Sequence, residues 1–218
     1  LALAVLDASR IEEMKDIYVV THTESEHHVQ KRVGGWYDTP LTATGHAQAQ
    51  RVASRILELV DGRDAEICSS DLLRALQTAE HIASALDTRI ETMSDLRERS
   101  YGSAEGQPED WLQKRVVHLP RGVPRLDHRD GIDNAETKRE FLTRIYRAVQ
   151  LIEARPVSVQ VIVTHGYAMT FVVACWIGMP LENAGLVNFR ASPGGITHLH
   201  EDDVYFNRNV MQLNNSGI

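Results

Sequence analysis

The chain has 218 residues, 43% of them hydrophobic and 24% charged, with a formal net charge of −7. That size supports one domain with a substantial core. The acidic balance, without a basic tail or stripe, argues against nucleic acid or an anionic membrane as a partner, although a local cluster of cationic donors can still hold a phosphorylated ligand.

Residues 1–6 are apolar but short and lack a basic leader, so a signal segment is not expected there. Residues 17–21 (IYVVT) form an apolar, β-branched run that predicts a buried strand, with His22 at its carboxyl end. A polar loop over 23–40 follows, punctuated by Gly34, Gly35 and Pro40. Thr42 is a helix N-cap candidate. The helix after it carries Val52, Ala53, Ile56, Leu57 and Val60 at helical spacing and ends at Asp61-Gly62. Residues 66–69 read as a second strand. Ser70 or Asp71 is expected to cap a helix with Leu72, Ala75, Leu76, Ala79, Ile82, Ala83 and Leu86 on one face, and Arg74 lies in its first turn off that face.

Residues 100–134 lack periodicity and are rich in Gly, Pro, Arg and His, which predicts an irregular insertion over an active site. Residues 136–154 form a helix with Phe141, Leu142, Ile145, Val149 and Ile152 inward. Residues 159–164 (VQVIVT) are a second strongly apolar strand, followed by His165-Gly166. A mostly apolar helix then runs to Ile177 and is stopped by Gly178 and Pro180. Residues 189–200 suggest a hairpin around Pro193-Gly194-Gly195. Alternating strands and helices predict an α/β fold: a three-layer α/β/α sandwich on a mostly parallel central sheet, organised as a single domain over 1–218. Cys68 and Cys175 lie far apart in apolar stretches and read as buried free thiols, which predicts a reducing, cytoplasmic location.

Two segments share one design, an apolar strand ending in a histidine: VVTHTES around His22 and VIVTHG around His165. Ligands of open α/β sheets bind beyond the carboxyl ends of the strands, so the two imidazoles are placed to face one ligand. Arg74 at a helix start adds a bidentate donor where backbone N–H groups already favour an anion. It opposes the macrodipole there, so helix stability does not explain it. Glu98, just before the insertion, is a candidate proton donor to a leaving oxygen, with a salt bridge to Arg97 or Arg99 as the plain alternative.

These segments resemble the histidine phosphatase superfamily, also called the phosphoglycerate mutase-like family. The matching stretches are THTES at 21–25, GGWYDTPLTATGHAQA at 34–49, SSDLLRALQTA at 69–79, LRERSYGSAEG at 96–106 and VIVTHG at 161–166, in the family's order. The resemblance implies a phosphoglycerate mutase-like fold and a phosphohistidine mechanism. His22 would attack phosphorus, Arg74 and His165 would hold phosphoryl oxygens, and Glu98 would protonate the leaving alcohol and later activate water. No metal or other cofactor is required. Thr21, Thr23, His28, Arg99 and Gly166 are further substrate-binding candidates. The expected partner is a small phosphorylated metabolite, and a homodimer is left open.

The family's Arg-His-Gly-Glu motif reads Thr21-His22-Thr23-Glu24 here, so one cationic clamp is missing. A protonated His28, Lys31, Arg32 or an insertion arginine is the candidate replacement. The family's late Gly-Glu-Ser segment appears as Asn134-Ala135-Glu136-Thr137, which makes Glu136 and Thr137 weaker site candidates. Glu98 and His165 are 165 − 98 = 67 positions apart, closer to the phosphatase branch than to mutases with longer insertions. Hydrolysis of a phosphomonoester is therefore favoured. A mutase, a phospho-ligand-binding module without catalysis, and a metal site from His22, His27, His28 and His165 are the alternatives.

Overall fold

The computed structural model describes residues 15–217. The apolar stretch 1–6 lies outside them. A six-stranded sheet forms the centre, in the order β3-β2-β4-β1-β5-β6. Strand β1 (Asp16–Thr21) leads into a short helix α1 (Glu26–Val29) and then α2 (Ala43–Val60). Next come β2 (Ala65–Ser69), α3 (Leu73–Leu86), β3 (Ile90–Thr92) and α4 (Glu109–Gln113). The chain continues through α5 (Lys138–Glu153), β4 (Val159–Thr164), α6 (Gly166–Trp176) and α7 (Leu181–Ala184), and closes with β5 (Ile196–Glu201) and β6 (Arg208–Asn215).

Strands β3, β2, β4 and β1 are parallel, whereas β5 runs antiparallel to both β1 and β6. Period-two alternation divides the apolar residues between two cores. Ile17, Val19, Cys68, Ile162 and Leu199 pack with Phe141, Ile145 and Val149 of α5 and Met169, Phe171 and Val172 of α6. Tyr18, Val20, Ile67, Val161, Val163 and Ile196 pack with Val52 and Ile56 of α2 and Ala75, Ala79 and Ile82 of α3. The predicted three-layer α/β/α arrangement is the observed one. Because β1 and β4 are buried on both faces, they read as continuous apolar runs. Cys68 and Cys175 are free and buried. Among the described residues no helix is long and apolar enough to cross a membrane.

Two local expectations fail. The cap of α3 is Leu72, two residues past Ser70 and one past Asp71, the predicted caps. Ser70 still accepts the Leu72 N–H, at 3.3 Å. The hairpin lies later than predicted. Residues 193–195 dock on the end of β1, with Thr21 N–H donating to the Gly195 carbonyl. The true hairpin joins β5 to β6 through 202–207, where the Asp202 carboxylate accepts the N–H groups of Val204, Tyr205 and Asn207.

The insertion contains α4 and a 3₁₀ turn at Gly102–Ala104, and is otherwise irregular. It is anchored by a small cluster of Val33, Ala104, Ile132 and Ala135.

Candidate active site

Thr21 of β1 lies opposite Thr164 of β4 in parallel register, so the residues that follow, His22 and His165, emerge at the same height. Their rings meet edge to face, 5.1 Å apart. The His22 N–H continues the ladder to the Thr164 carbonyl at 2.9 Å, which fixes its backbone. The loop after His22 is clamped to the start of α2. Thr42 caps α2 by accepting the Gly45 N–H, and its hydroxyl donates to Glu24 at 2.6 Å. Gly45 is required there, because a Cβ would stand 1.9 Å from the Glu24 carbonyl oxygen.

Two contacts fix the tautomer of His22. Its Nδ1 is 2.8 Å from the Thr23 carbonyl oxygen, which can only accept, so Nδ1 carries the proton. Its Nε2 accepts from Arg74 Nε–H at 3.3 Å and holds the lone pair. Burial, then the Arg74 charge, then His28 depress its pKa well below the usual imidazole value, so the ring is neutral and nucleophilic at neutral pH. Arg74 is buried and donates to the Gly35 and Tyr37 carbonyls at 2.7 and 3.0 Å. Burial brings it down to about 10, so it remains a cation.

His165 is the N-cap of α6 and fully buried. Its Nε2 is 2.8 Å from Ser70 Oγ. Among the described residues Nε2 is the one acceptor bonded to this buried hydroxyl, so the Ser70 proton goes to Nε2 and the ring proton of neutral His165 resides on Nδ1. Nδ1 has no partner within the protein. A buried N–H without a partner, in a ring touching His22, is a donor reserved for a ligand. Burial and the Arg74 charge hold the His165 pKa well below normal.

The Glu98 carboxyl accepts the Arg99 N–H at 2.8 Å and the Tyr167 N–H, in the first turn of α6, at 2.9 Å. Burial raises its pKa in spite of these donors and the Arg74 and Arg144 charges, which favours the protonated form that a general acid needs. Its backbone carbonyl accepts from Trp36 Nε1 and Arg144 Nη2. Arg144 also grips the carbonyls of Asp95 and Arg97 and both oxygens of Glu136, and so shapes the turn that presents Glu98.

His22, Arg74, Glu98 and His165 therefore converge. His28 joins them, stacked on His22 at 5.3 Å with 12° between the planes. The remaining candidates are committed elsewhere. The Thr21 hydroxyl bonds to the Ser192 carbonyl and the Gly195 N–H, tying β1 to the loop at 192–195. The Thr23 hydroxyl donates to the Gly45 carbonyl at 2.8 Å. Arg99 is spent on Asp130 and the Glu136 carbonyl. Glu136 serves Ser100 and Arg144, and Thr137 caps α5. At Gly166 a Cβ would meet only Ala191, at an ordinary 3.5 Å, so close packing does not demand the glycine. Burial and the Arg74 charge lower the His28 pKa, so it is not the protonated replacement for the missing arginine that the sequence suggested. Sequence reasoning missed Ser70 as the partner of His165, and it missed Arg144. His27 is buried at 6.0 Å from His22 and pushed down to about 3 by burial and its neighbours His28 and Arg74. Ser70, adjacent to the end of β2, carried a positional signal; Arg144 carried none.

The profile of the histidine phosphatase superfamily (branch 1) matches residues 17–213. The chain belongs to the histidine phosphatase superfamily. It is 33% identical over 178 residues to a probable phosphoglycerate mutase GpmB of Shigella boydii, covering 81% of each chain. It is also 33% identical to the protein of that name from Escherichia coli K12, over 77% of each. The fold is shared with a phosphoglycerate mutase from Bacillus anthracis (TM-score 0.76, 21% identity, 94% of this chain and 95% of that one). A mycobacterial glucosyl-3-phosphoglycerate phosphatase shares it too (TM-score 0.74, 21% identity, 93% and 99%). This superfamily member has a phosphatase- or mutase-type site in which the usual first arginine is threonine. The insertion and the start of α5 line a cavity of about 210 Å³ with His118, Leu119, Arg125, His128, Asp130 and Lys138. The Lys138 ammonium also lies 5.8 Å from the ring of Tyr167, the residue that contacts Glu98.

Proposed function

We propose that the chain hydrolyses a small phosphomonoester through a phosphohistidine on His22. The observation that carries this reading is the pairing of a neutral His22, whose Nδ1–H bond to Thr23 places the lone pair on Nε2, with a Glu98 carboxyl whose pKa is raised. Nε2 attacks phosphorus as the bond to the leaving oxygen breaks, and Glu98 delivers its proton to that oxygen. Arg74 and the Nδ1–H of His165 take up charge on the phosphoryl oxygens, the main catalytic task in a loose phosphoryl transition state. Glu98, now a carboxylate, accepts a proton from water as water attacks the phosphohistidine and the P–Nε2 bond breaks, which releases inorganic phosphate and restores neutral His22. Each step uses groups already positioned, and no metal takes part. The cavity with Arg125, His128 and Lys138 supports a leaving group that is polar or anionic.

A mutase is the second reading, favoured by the name of the relatives at 33% identity. The two differ in the acceptor for the phosphoryl group. A panel of phosphorylated metabolites incubated with wild type and His22→Ala separates them. Hydrolysis predicts inorganic phosphate, dependent on His22. Positional transfer within one substrate without phosphate release identifies a mutase. A phospho-ligand that binds but never turns over identifies a binding module.

A further inference from the structure

At the opposite end of β1 from His22 lies a second histidine cluster that the mechanism does not use. His198 and His200 alternate on β5 and so share one face of the strand. In the antiparallel register Asp16 lies opposite His200, and Tyr18 opposite His198. Asp16 Oδ1 is 2.7 Å from His198 Nε2 and 2.9 Å from His200 Nδ1. The second oxygen, Oδ2, is held by Arg63 at 2.5 Å. Asp16 is 6% exposed, while both imidazoles retain about a quarter of their side-chain exposure, which leaves a route from solvent. His198 is further oriented by stacking on Tyr18 at 4.7 Å, and the Tyr18 hydroxyl is bonded to the Leu59 carbonyl.

We propose that Asp16, His198 and His200 form a binding site for a divalent cation of the zinc class, about 20 Å along β1 from the catalytic histidine. Their three donor atoms all lie within 4.8 Å of one another, and among the described residues they are the group that meets this condition. The cluster His22, His27, His28 and His165, weighed as a metal site from the sequence, does not. Two imidazoles and a carboxylate suit Zn²⁺, with water completing the shell. A tetrahedral zinc centre separates its donors by about 3.3 Å, so the observed 2.7 and 2.9 Å contacts need to open by only about 0.4–0.6 Å. Without a metal, Asp16 Oδ1 accepts N–H bonds from His198 Nε2 and His200 Nδ1, so binding moves each ring proton to the other nitrogen, His198 Nδ1 and His200 Nε2, and frees the two ligating lone pairs. Arg63 keeps Oδ2 occupied, so the carboxylate coordinates through Oδ1 alone, as hydrogen-bonded ligands in metal sites commonly do. The cation pins the start of β1 to the end of β5.

Calorimetric titration of tag-free, chelator-treated protein tests this with Zn²⁺, with Mg²⁺ as the oxygen-preferring comparison. One Zn²⁺ equivalent is expected with a Kd of about 1 μM or tighter, with no comparable Mg²⁺ binding. The Tm should rise by about 5–10 °C at a hundredfold excess of Zn²⁺ over Kd. His198→Gln combined with His200→Gln should weaken Zn²⁺ binding about a hundredfold or more and abolish the visible absorption of tetrahedral Co²⁺. His27→Ala combined with His28→Ala should keep both. Should the double glutamine variant fail to fold, Asp16→Asn and single His200→Gln proteins decide by the same titration. A wild-type protein that takes up no Zn²⁺ equivalent overturns the site. So does an equivalent that survives in the Asp16, His198 and His200 variants, or one lost with His27 and His28. The cluster is then a hydrogen-bonded His–Asp–His brace only.

Discussion

Ser70→Ala removes one hydroxyl from a fully buried position and leaves every group that touches the phosphoryl in place. Two bonds go with it: the 2.8 Å contact to His165 Nε2 and the 3.3 Å bond from Leu72 N–H. Both bonds are buried, and Nε2 of the fully buried imidazole is left without a partner. Leaving that atom unpaired costs ~1–3 kcal/mol, a fall in Tm of about 2–10 °C for a chain of this size. The larger consequence is chemical. Ser70 is what keeps the ring proton on Nδ1, so its loss lets the proton move to Nε2 and turns a phosphoryl donor into an acceptor. A hydrogen bond to a charged group is worth ~1.5–3 kcal/mol, so its full loss sets the upper limit on kcat/KM at roughly a ten- to hundredfold drop. Steady-state kinetics on Ser70→Ala, His165→Ala and the double variant measure this. Because Ser70 acts through His165, its substitution should change kcat/KM less than about threefold once His165 is gone. A Ser70→Ala enzyme with a lowered Tm but kcat/KM within about twofold of wild type refutes the tautomer argument and leaves Ser70 a packing residue. Equal effects in both backgrounds also refute it.

Glu98→Gln should slow alkyl phosphates by ~10²–10⁴-fold and aryl phosphates far less, because only the former need a proton on the departing oxygen; equal losses would assign Glu98 to binding. The pH profile follows from the two shifts. His22, depressed, stays neutral below the usual imidazole range, while Glu98, raised, stays protonated above the usual carboxyl range, so kcat/KM should be highest at mildly acidic pH and fall as pH rises through the Glu98 pKa. That alkaline limb should vanish in Glu98→Gln, which cannot titrate; its persistence would place the limb on another group. Thr21→Val should cost ~0.5–1.5 kcal/mol in denaturant unfolding, since it removes the hydroxyl's bond to the Ser192 carbonyl and one branch of a Gly195 N–H that Ser192 also accepts, yet leave the inhibition constant of vanadate unchanged; weakened vanadate binding would return Thr21 to the phosphate site. Gly45→Ala should destabilise by about 3 kcal/mol or more in the same assay, because its Cβ would collide with immobile backbone at Glu24.

The buried framework was legible because β1 and β4 are continuous apolar runs and the long helices keep a 3.6-residue period. Strand β6 was not legible. Both of its faces are largely exposed, with Met211 60% and Leu213 42% accessible, so no alternation marks it. The misplaced hairpin has a related cause. Pro193-Gly194-Gly195 has the composition of a turn, but its backbone is used to dock on Thr21, while Asp202 organises the real turn through its side chain. In the site, the residues carried by strand ends and a helix start were readable, because topology alone sends His22, His165 and Arg74 to one edge of the sheet. Which neighbours were bystanders was not readable. Thr21, Thr23 and Arg99 stand next to catalytic positions in sequence, and only the fold shows their polar atoms spent on Ser192, Gly45 and Asp130. Ser70 was read as a cap because serine caps helices; its second bond, to a histidine 95 positions away, has no local signature.

The central claim is that His22 carries the phosphoryl group. Rapid acid-free quenching of wild-type protein mixed with an activated phosphodonor, followed by peptide mass spectrometry, reads this directly. One phosphoryl group on Nε2 of His22 is predicted, formed and lost at rates that account for kcat, absent from His22→Ala, and longer-lived in Glu98→Gln because water is no longer activated. Undiminished turnover in His22→Ala, or a wild-type enzyme that turns over without ever labelling His22, would contradict it.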